Sequence, residues 1–422
     1  MSFASKEVEV CVIGGGTAGL MAALSSADSG AKTLLVEKNG VLGGTMTACG
    51  VNYPGLFFAW GKQIIGGKCF DMVKRVEALG GCVIPEVEYA PEKHFTQQVR
   101  MNSFILSCVM DGLCREYGVE VLFHSMLYDA SESEEGVELL IARKDGPLKV
   151  KAKKVIDCTA DADLAGALGY ERVKSPSLQP ATLFVKGKAL DPLPDIERLC
   201  LEAEKATNEG KLPSWIANRS YSKLVRGLSM TYHVRCDGDA DSSQGKTALE
   251  MRAREDALAA VRFIKAFEGC EDFEIEQFAF ECGVRETNRI VGEYTVTAED
   301  YISGRSYPDA ICNAFYPIDL HVPPYGIKQV FFKEGVFAKI PYRALVPKGS
   351  KHLICAGRMV SSDTDANSAL RVQAPCMAMG QAAGVAAALC ARSGRRISDP
   401  DLDAVKGELK RQGAVLCEEV EG

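Results

Sequence analysis

The chain has 422 residues, of which 47% are hydrophobic and 25% charged, and its formal net charge is −7. This length allows roughly two or three domains with packed cores. The acidic balance argues against nucleic acid or an anionic membrane surface as a main partner, and we find neither a signal peptide nor an apolar run of about 20 residues that would span a membrane. We therefore expect a cytoplasmic protein that acts on a small molecule.

The sixteen cysteines stand singly within apolar runs, as at Cys11, Cys282 and Cys390, and no Cys-x-x-Cys pair occurs. In a long chain this pattern is typical of cysteine used as a small hydrophobic residue in a reducing compartment. We therefore expect neither a disulphide scaffold nor a metal site.

The N-terminal segment combines a short strand, a glycine-rich turn and a helix. Residues 8–13 (VEVCVI) predict the strand, GGGTAG follows at 14–19, and the alanine-rich stretch 20–29 predicts the helix. Residues 32–36 predict a second strand, which ends at Glu37. A strand, turn, helix and strand with an acidic residue at this point form the fingerprint of dinucleotide binding.

Each part of this unit has a physical role. Gly14 allows the tight turn, Gly16 lets a pyrophosphate approach the backbone, and Gly19 lets helix and strand pack closely. The helix N-terminus offers unpaired N–H groups to the phosphates, and Glu37 can accept hydrogen bonds from the adenosine ribose. The contacts predicted in this unit are Gly14, Gly16, Thr17, Ala18, Gly19, Glu37 and Lys38.

Three strand-like segments follow at 119–127, 136–144 and 148–157, and the last leads into a small-residue turn at 158–161. A strand ladder that feeds such a turn is how FAD-binding Rossmann domains return to their sheet. Because the sequence has a single glycine fingerprint, we expect one dinucleotide, and the ladder favours FAD.

Residues 172–345 interrupt the Rossmann pattern and contain apolar residues at helical spacing at 196–211 and 248–266, as does the earlier stretch 96–117. We interpret 172–345 as an inserted domain that covers the active site. The α/β pattern then resumes with a buried strand at 352–358, a polar loop at 361–368 and a helix with small residues on most faces at 377–389. The start of that helix can direct N–H groups to the polar edge of a flavin, and close packing in the core explains the same small residues.

Several of these motifs occur in the order seen in FAD-dependent oxidoreductases whose FAD domain is of the glutathione-reductase type. They are GGGTAG at 14–19, GGT at 43–45, VIDCTADAD at 155–163, and LRVQ with GQAAG between 370 and 384. The stretches GVRETNRIVGEY at 283–294 and YPIDLH at 316–321 resemble the FAD dependent oxidoreductase family, which is distantly similar to the fumarate reductase and succinate dehydrogenase flavoproteins.

The resemblance implies an α/β fold: a Rossmann-like FAD-binding domain with a parallel sheet, helices and a three-stranded β-meander, plus an inserted α+β capping domain. The FAD-binding domain would comprise residues 1–171 and 346–422, and the cap residues 172–345. FAD would bind non-covalently, with further contacts from Gly43, Gly44, Thr45, Met46, Thr159, Ala160, Gly357, Arg358, Arg371, Val372 and Gln373. Ala160 departs from the family pattern, which has glycine in this turn.

The GGT stretch lacks the cysteine pair that follows it in flavin disulphide reductases, because Met46 and Val51 occupy the two positions and Cys49 fits neither. Without a dithiol, the flavin must meet its substrate directly. We interpret 41–55 as part of the flavin cradle and Cys49 as a packing residue; a redox thiol is the alternative.

Three residues of the inserted segment are candidates for catalysis. His321 could exchange a proton with the substrate, Arg285 could bind a substrate carboxylate or a developing oxyanion, and Tyr325 is a further proton donor. The alternative for each is a structural role. Arg285 and Arg289 are spaced as on one helical face, where neighbouring glutamates would pair with them.

The sequence therefore predicts an FAD-dependent dehydrogenase or reductase that transfers a hydride between flavin N5 and a small organic substrate. The alternatives are a flavin monooxygenase or halogenase, and a non-catalytic FAD-binding protein. A halogenase Trp-x-Trp-x-Ile-Pro motif is absent, since the tryptophans are Trp60 and Trp215. The sequence identifies neither the substrate, the direction of the reaction nor the electron partner, and a homo-oligomer is one option for the assembly.

Overall fold

The computed structural model describes residues 4–86, 96–213, 219–234, 240–322 and 326–421. The strands in this part of the chain are β1 (Ala4–Ile13), β2 (Thr33–Val36), β3 (Phe58–Ala59), β4 (Lys62–Gln63), β5 (Glu120–Leu122), β6 (Met126–Glu132), β7 (Val137–Ala142), β8 (Leu148–Asp157), β9 (Arg172–Lys174), β10 (Ala181–Gly187), β11 (Ser229–Val234), β12 (Ile275–Phe278), β13 (Asn288–Ile290), β14 (Ala310–Ala314), β15 (Ile318–Val322), β16 (Gly326–Val330), β17 (Ala338–Pro341) and β18 (Leu353–Cys355). The α-helices are α1 (Thr17–Asp28), α2 (Gly67–Ala78), α3 (Ser103–Glu116), α4 (Asp163–Ala167), α5 (Ile196–Asn208), α6 (Arg219–Val225), α7 (Ser243–Lys265), α8 (Ala298–Ser303), α9 (Thr364–Leu370), α10 (Gln373–Ser393), α11 (Leu402–Arg411) and α12 (Cys417–Glu421).

The central sheet contains the strands that the N-terminal fingerprint predicts. β2 and β8 flank β1 in parallel, β5 extends the sheet beyond β2, and β18 pairs in parallel with the C-terminal half of β8. All the described residues of β2 are buried, as are the last four of β1. A parallel sheet buried in this way between helices is typical of α/β folds, which confirms the predicted fold class at this level.

An antiparallel ladder of β6, β7 and the N-terminal half of β8 lies beside the parallel strands. One predicted strand is wrong, because 119–127 is not continuous. The chain turns at His124, whose φ is +50°. The residues before it form β5 of the parallel sheet, and those after it begin β6 of the ladder.

Helices α1 and α10 cross in backbone contact. A Cβ atom on Gly380 would lie 2.1 Å from the carbonyl oxygen of Ala18, so a side chain of any size is excluded there. Both helices are buried along most of their length. The small residues on most faces of α10 therefore serve close packing in the core.

The expectation that no apolar stretch approaches the length of a membrane span is wrong for α10. Residues Gln373–Ser393 are long and apolar enough to cross a membrane by composition, but 89% of the apolar window is buried within the fold. Helices of this kind also occur in the cores of proteins that do not cross a membrane. The part of the chain that the structure describes holds no other helix with these properties.

The inserted segment packs in two different ways. Buried apolar residues between 181 and 284 form a core of their own, around the sheet β11–β10–β12 and helices α5, α6 and α7. Residues from 296 to 345 bury their apolar side chains in the main core instead. The division at 172 and 345 stays a prediction.

Two further local predictions are wrong. The polar stretch 361–368 contains the start of α9, which follows Asp363, whose side chain accepts a hydrogen bond from the Ala366 N–H. The segment with Arg285 and Arg289 is not helical, since Arg289 lies on β13 and Arg285 precedes that strand.

Candidate active site

The glycine turn after β1 is closed on two sides and open on the third. A Cβ on Gly14 would lie 2.3 Å from the carbonyl oxygen of Cys158, and one on Gly19 would lie 1.8 Å from that of Gly14. A Cβ on Gly16 would meet nothing within 4 Å. The N-cap residue of α1, Gly16, has no side-chain cap, so the first N–H groups of the helix are available on the open side. N–H groups at a helix N-terminus bind phosphates favourably.

Glu37 is held beside this turn. Its side chain is 5% exposed, and its two carboxylate oxygens accept hydrogen bonds from the N–H groups of Gly15 at 2.6 Å and Asn39 at 2.8 Å. Burial raises the pKa of Glu37, and the two N–H groups oppose the rise. Its neighbour Lys38, predicted to contact the cofactor, forms an ion pair with Glu281 at 2.7 Å.

The GGT stretch lies directly against the glycine turn. Gly43 forms a parallel bridge with Gly16 and donates its N–H to the carbonyl of Gly15 at 2.9 Å. Residues 44–46 form a 3-10 turn, with Met46 fully buried. The two stretches are therefore in contact, and the role of 43–46 as a second phosphate-binding loop for the dinucleotide stays a prediction.

The turn after β8 keeps its shape although Ala160 stands where the family has glycine. Ala160 has φ of +74°, a conformation that costs an L-residue about 1–2 kcal/mol. The buried carboxylate of Asp157 accepts hydrogen bonds from the N–H and hydroxyl of Thr159 and from the N–H of Ala165. These bonds hold the turn in its strained form, while burial raises the pKa of Asp157.

Two buried polar atoms at this end of the sheet have no hydrogen-bond partner among the described residues, Arg358 Nε and Gln373 Oε1. Arg358 follows Gly357, whose φ is +114°, and pairs with Asp161. Buried polar atoms without partners are unfavourable by about 1–3 kcal/mol. Together with the open space at Gly16, they indicate that the chain is built around a polar ligand, as FAD would be.

The start of α10 contacts the 41–55 stretch. Gln373 Nε2 donates to the carbonyl of Val51 at 3.0 Å. Val372 precedes the helix and lies against Gly55, where a Cβ would be 2.4 Å from Val372 Cγ1 and 3.7 Å from the ring of Tyr316. The 41–55 stretch therefore reaches from the glycine turn at 14–19 to Tyr316, just before β15.

A polar cluster lies at β15. His321 Nε2 is 3.4 Å from Asp319 Oδ2, and the His321 N–H donates to Gln179 Oε1 at 3.2 Å. Arg371 Nη2 donates to the same amide oxygen at 3.4 Å and to the carbonyl of Asp319 at 3.2 Å. Arg371, predicted to contact the cofactor, therefore lies beside the predicted catalytic histidine.

Arg285 belongs to the same cluster. Its Nη1 donates to Thr182 Oγ1 at 2.6 Å and to the carbonyl of Pro180. Burial lowers the pKa of His321, and the positive charges of Arg285 and Arg371 lower it further, although the contact with Asp319 opposes them. The imidazole is therefore neutral near pH 7.

Asp319 is ionised in this cluster. Burial acts to raise its pKa, but the hydrogen bonds from His321 and Gln329 and the charge of Arg371 outweigh it and lower the pKa to about 2. Asp319 and Gln179 were missed as site residues. Asp319 lies two residues before His321 on the same strand, a spacing that places both on one face and could have indicated it.

The other residues considered for a role in the site are Tyr325, Arg289 and Cys49. Tyr325 lies outside the described residues. Arg289 is buried, 3.7 Å from Glu286, and donates to Ser175 and to the carbonyl of Ser362, so the structural alternative holds for it. Cys49 is 5% exposed, and burial raises its pKa to about 12, as expected for a packing residue.

A family model described as FAD dependent oxidoreductase matches residues 9–409. The chain belongs to this family. As an FAD dependent oxidoreductase it uses FAD, which confirms the predicted cofactor and the prediction of an FAD-dependent oxidoreductase. The finer prediction of a dehydrogenase or reductase stays a prediction. A search of curated proteins found no match.

Solved structures of similar architecture are distant from this FAD dependent oxidoreductase. A geranylgeranyl bacteriochlorophyll reductase-like protein from Thermoplasma acidophilum is 14% identical, with a TM-score of 0.47, over 97% of this chain and 85% of that one. A flavoprotein/dehydrogenase from Cytophaga hutchinsonii is 16% identical, with a TM-score of 0.45, over 96% and 83%. An anhydrotetracycline hydroxylase from Streptomyces rimosus is 9% identical, with a TM-score of 0.45, over 96% and 66%.

Proposed function

We propose that the protein is a dehydrogenase or reductase that moves a hydride and a proton to or from a small organic molecule. FAD supplies the hydride acceptor or donor at its N5. The observation that carries the proposal is His321, a neutral imidazole held by Asp319 and flanked by two guanidinium groups in a partly buried cluster. Such a group is suited to proton exchange near neutral pH.

In the oxidation direction, His321 accepts the proton of a substrate O–H or N–H while the hydride leaves the adjacent carbon. Asp319 orients the ring through Nε2 and stabilises the imidazolium that forms, because its carboxylate stays ionised. In the reduction direction the same histidine returns the proton. Tyr325 stays a prediction as a second proton donor.

Arg285 stabilises negative charge on the substrate oxygen. Its guanidinium is held by Thr182 and Pro180 before any substrate arrives. A preorganised cation stabilises a developing oxyanion more than a neutral ground state. This difference lowers the barrier and is the role that we assign to Arg285.

The proposal includes the contacts of FAD. We assign the phosphates to the space at Gly16 with Thr17 and Ala18, the ribose to Glu37, and the flavin end to the remaining predicted contacts at 43–46, 159–160, 357–358 and 372–373. Arg371 stays a predicted neighbour of the flavin, but its guanidinium is directed to Asp319 and Gln179 beside His321, so we assign that group to the substrate side. Residues 172–345 would act as the cap. We propose that the FAD domain is of the glutathione-reductase type, with distant similarity to fumarate reductase flavoproteins, and that it works without a redox disulphide.

The test is anaerobic reduction of the FAD-loaded protein. We expect one or more compounds from a panel of small acids, alcohols, sugars and amines to bleach the flavin absorbance. If the flavin is bleached only by a nicotinamide nucleotide, and the reduced protein then inserts oxygen into a substrate, the protein is a monooxygenase. If no compound or nucleotide bleaches it, a non-catalytic role is the better description.

A further inference from the structure

Arg371 carries a positive charge that no carboxylate in the described part of the chain matches at ion-pair distance. Its Nη2 donates to two neutral oxygens, the carbonyl of Asp319 and the amide oxygen of Gln179. Its Nε is buried and has no hydrogen-bond partner among the residues that the structure describes. The residue as a whole is partly buried, and a cation shielded from water without a counter-ion is unfavourable. Burial accordingly lowers the pKa of Arg371.

Gln179 presents a second unmatched donor beside it. The side chain is 1% exposed, and its Oε1 accepts from the His321 N–H and from Arg371 Nη2. Because both neighbours are donors, the amide oxygen must face them, and Nε2 occupies the other position. Nε2 is buried, and no described residue accepts a hydrogen bond from it.

The nearby acidic groups are already engaged. Asp319 contacts His321 at 3.4 Å, and Glu286 accepts the Gln179 N–H and lies 3.7 Å from Arg289. The charge of Arg285 also acts on His321. Among the described residues, the cluster therefore holds no anion at ion-pair distance from Arg371. A neutral ligand could accept from both donors but would leave the charge of Arg371 without a counter-ion, and a cationic ligand would add to that charge.

We propose that Arg371 and Gln179 form the subsite for a carboxylate group of the substrate, so that the substrate is a small carboxylic acid whose reacting carbon lies next to His321. Arg371 Nε and Gln179 Nε2 donate to the carboxylate, and Arg371 supplies the compensating charge. The inference rests on the proposed function of the same site. It adds the class of substrate and the two residues that select it.

The experiment titrates the FAD-loaded protein with oxalate, malonate, succinate and benzoate at constant ionic strength, with chloride as the reference anion. Binding is measured by calorimetry and by the change in flavin absorbance. We expect at least one carboxylate to bind in preference to chloride. Failure of all four to bind at millimolar concentration would overturn the subsite.

The decisive variant is Gln179→Glu, which keeps the acceptor oxygen for His321 and Arg371 but replaces the Nε2 donor with a negative oxygen. We expect the carboxylate Kd to rise about 100-fold or more, the FAD content to stay unchanged, and the melting temperature to rise because Arg371 gains a counter-ion. Gln277→Glu, on the exposed face of β12, makes the same charge change and should leave the Kd unaltered.

Two outcomes separate the subsite from the proposed function. If neutral alcohols or amines bleach the flavin while carboxylates do not bind, the subsite is wrong and the oxidoreductase function stands. If carboxylates bind and Gln179→Glu abolishes binding, but no compound ever bleaches the flavin, the subsite stands without the reaction. Loss of FAD from Gln179→Glu with carboxylate binding retained would mean that the two donors serve the cofactor.

Discussion

A Cβ atom on Gly384 would lie 2.2 Å from the carbonyl oxygen of Ala22, so α10 and α1 touch backbone to backbone. In an isolated helix, Gly→Ala would be favourable by about 1 kcal/mol. Here we expect Gly384→Ala to lower the free energy of unfolding by about 1–3 kcal/mol, because the helices must separate. Urea denaturation measures the change.

The matched control is Gly407→Ala on α11, where a Cβ would meet nothing within 4 Å. We expect this variant to be as stable as the wild type or up to about 1 kcal/mol more stable. If the two variants have equal free energies of unfolding, the close approach of α1 and α10 does not contribute to stability.

Gly16→Val should separate cofactor binding from folding. Its Cβ would meet no protein atom within 4 Å, so we expect a folded protein with a near-normal melting temperature. Because the side chain fills the space assigned to the pyrophosphate, the purified protein should be colourless. Gly407→Val, which introduces the same side chain into open space elsewhere, should retain FAD; a yellow Gly16→Val protein would contradict the assignment.

Cys49→Ser should leave FAD content and the rate of flavin reduction within about 2-fold of wild type, since a single buried thiol cannot complete a disulphide exchange. The pKa of about 12 also keeps the thiol protonated at neutral pH. Stopped-flow absorbance checks the rate, with Cys108→Ser, at an exposed thiol, as the control. A loss of several decades with FAD bound would identify Cys49 as a redox residue.

His321→Asn removes proton exchange but keeps a polar side chain of similar shape. We expect the rate of flavin reduction by substrate to fall roughly 10²–10⁴-fold, the usual effect of a positioned acid or base. The FAD content and melting temperature should stay close to wild type. The reverse pattern, with unstable protein and normal turnover per bound flavin, would assign His321 a structural role.

The pH dependence of substrate oxidation is a second test of the role of His321. Since the pKa of His321 is lowered in the folded protein, the active neutral form persists below the ordinary histidine pKa of about 6.5. The rate of substrate oxidation should therefore rise with pH through a midpoint below that value and then level off. A midpoint clearly above it would contradict the neutral imidazole.

The lowered pKa of His321 should also make the folded protein less stable at acidic pH. The unfolded chain binds this proton more tightly, so the contribution of His321 is complete above about pH 6.5 and is lost as the pH falls toward the lowered pKa. His321→Asn should flatten part of the decline in melting temperature on acidification. Part of the decline should persist in this variant, because burial also lowers the pKa of His352. If the melting temperature of His321→Asn falls with pH as steeply as that of the wild type, His321 does not contribute to the decline.

The phosphate-binding end was predictable because its signals are local. Gly14, Gly16 and Gly19 stand at spacings that only a tight turn into a helix explains, and Glu37 follows the next strand in the same unit. The start of α9 also had a local signal, since Asp363 stands three residues before Ala366, whose N–H it caps. The surrounding polar residues led instead to the prediction of a loop.

Other features depend on distant contacts. No glycine or proline marks the turn at His124, where the chain changes from one set of strand partners to another. Gln179 and Arg371 are 192 residues apart, and neither stands in a motif that predicts their hydrogen bond. Composition and periodicity describe which residues are buried, but they do not tell which buried polar groups meet.

The edge of β8 is shared by two partners, β7 along its first half and β18 along its second. When this protein is synthesised, β7 leaves the ribosome just before β8, whereas β18 and α10 emerge only with the last part of the chain. Until then, half of the edge of β8 is unpaired and α1, which also contacts α2 and α3, lacks its most extensive helix contact, that with α10. Such a state is prone to aggregation. Pairing between such distant segments is slow, and the predicted FAD contacts at 357–358 and 371–373 belong to this last part of the chain, so we expect the FAD site to be completed only after the C-terminal helices have been made.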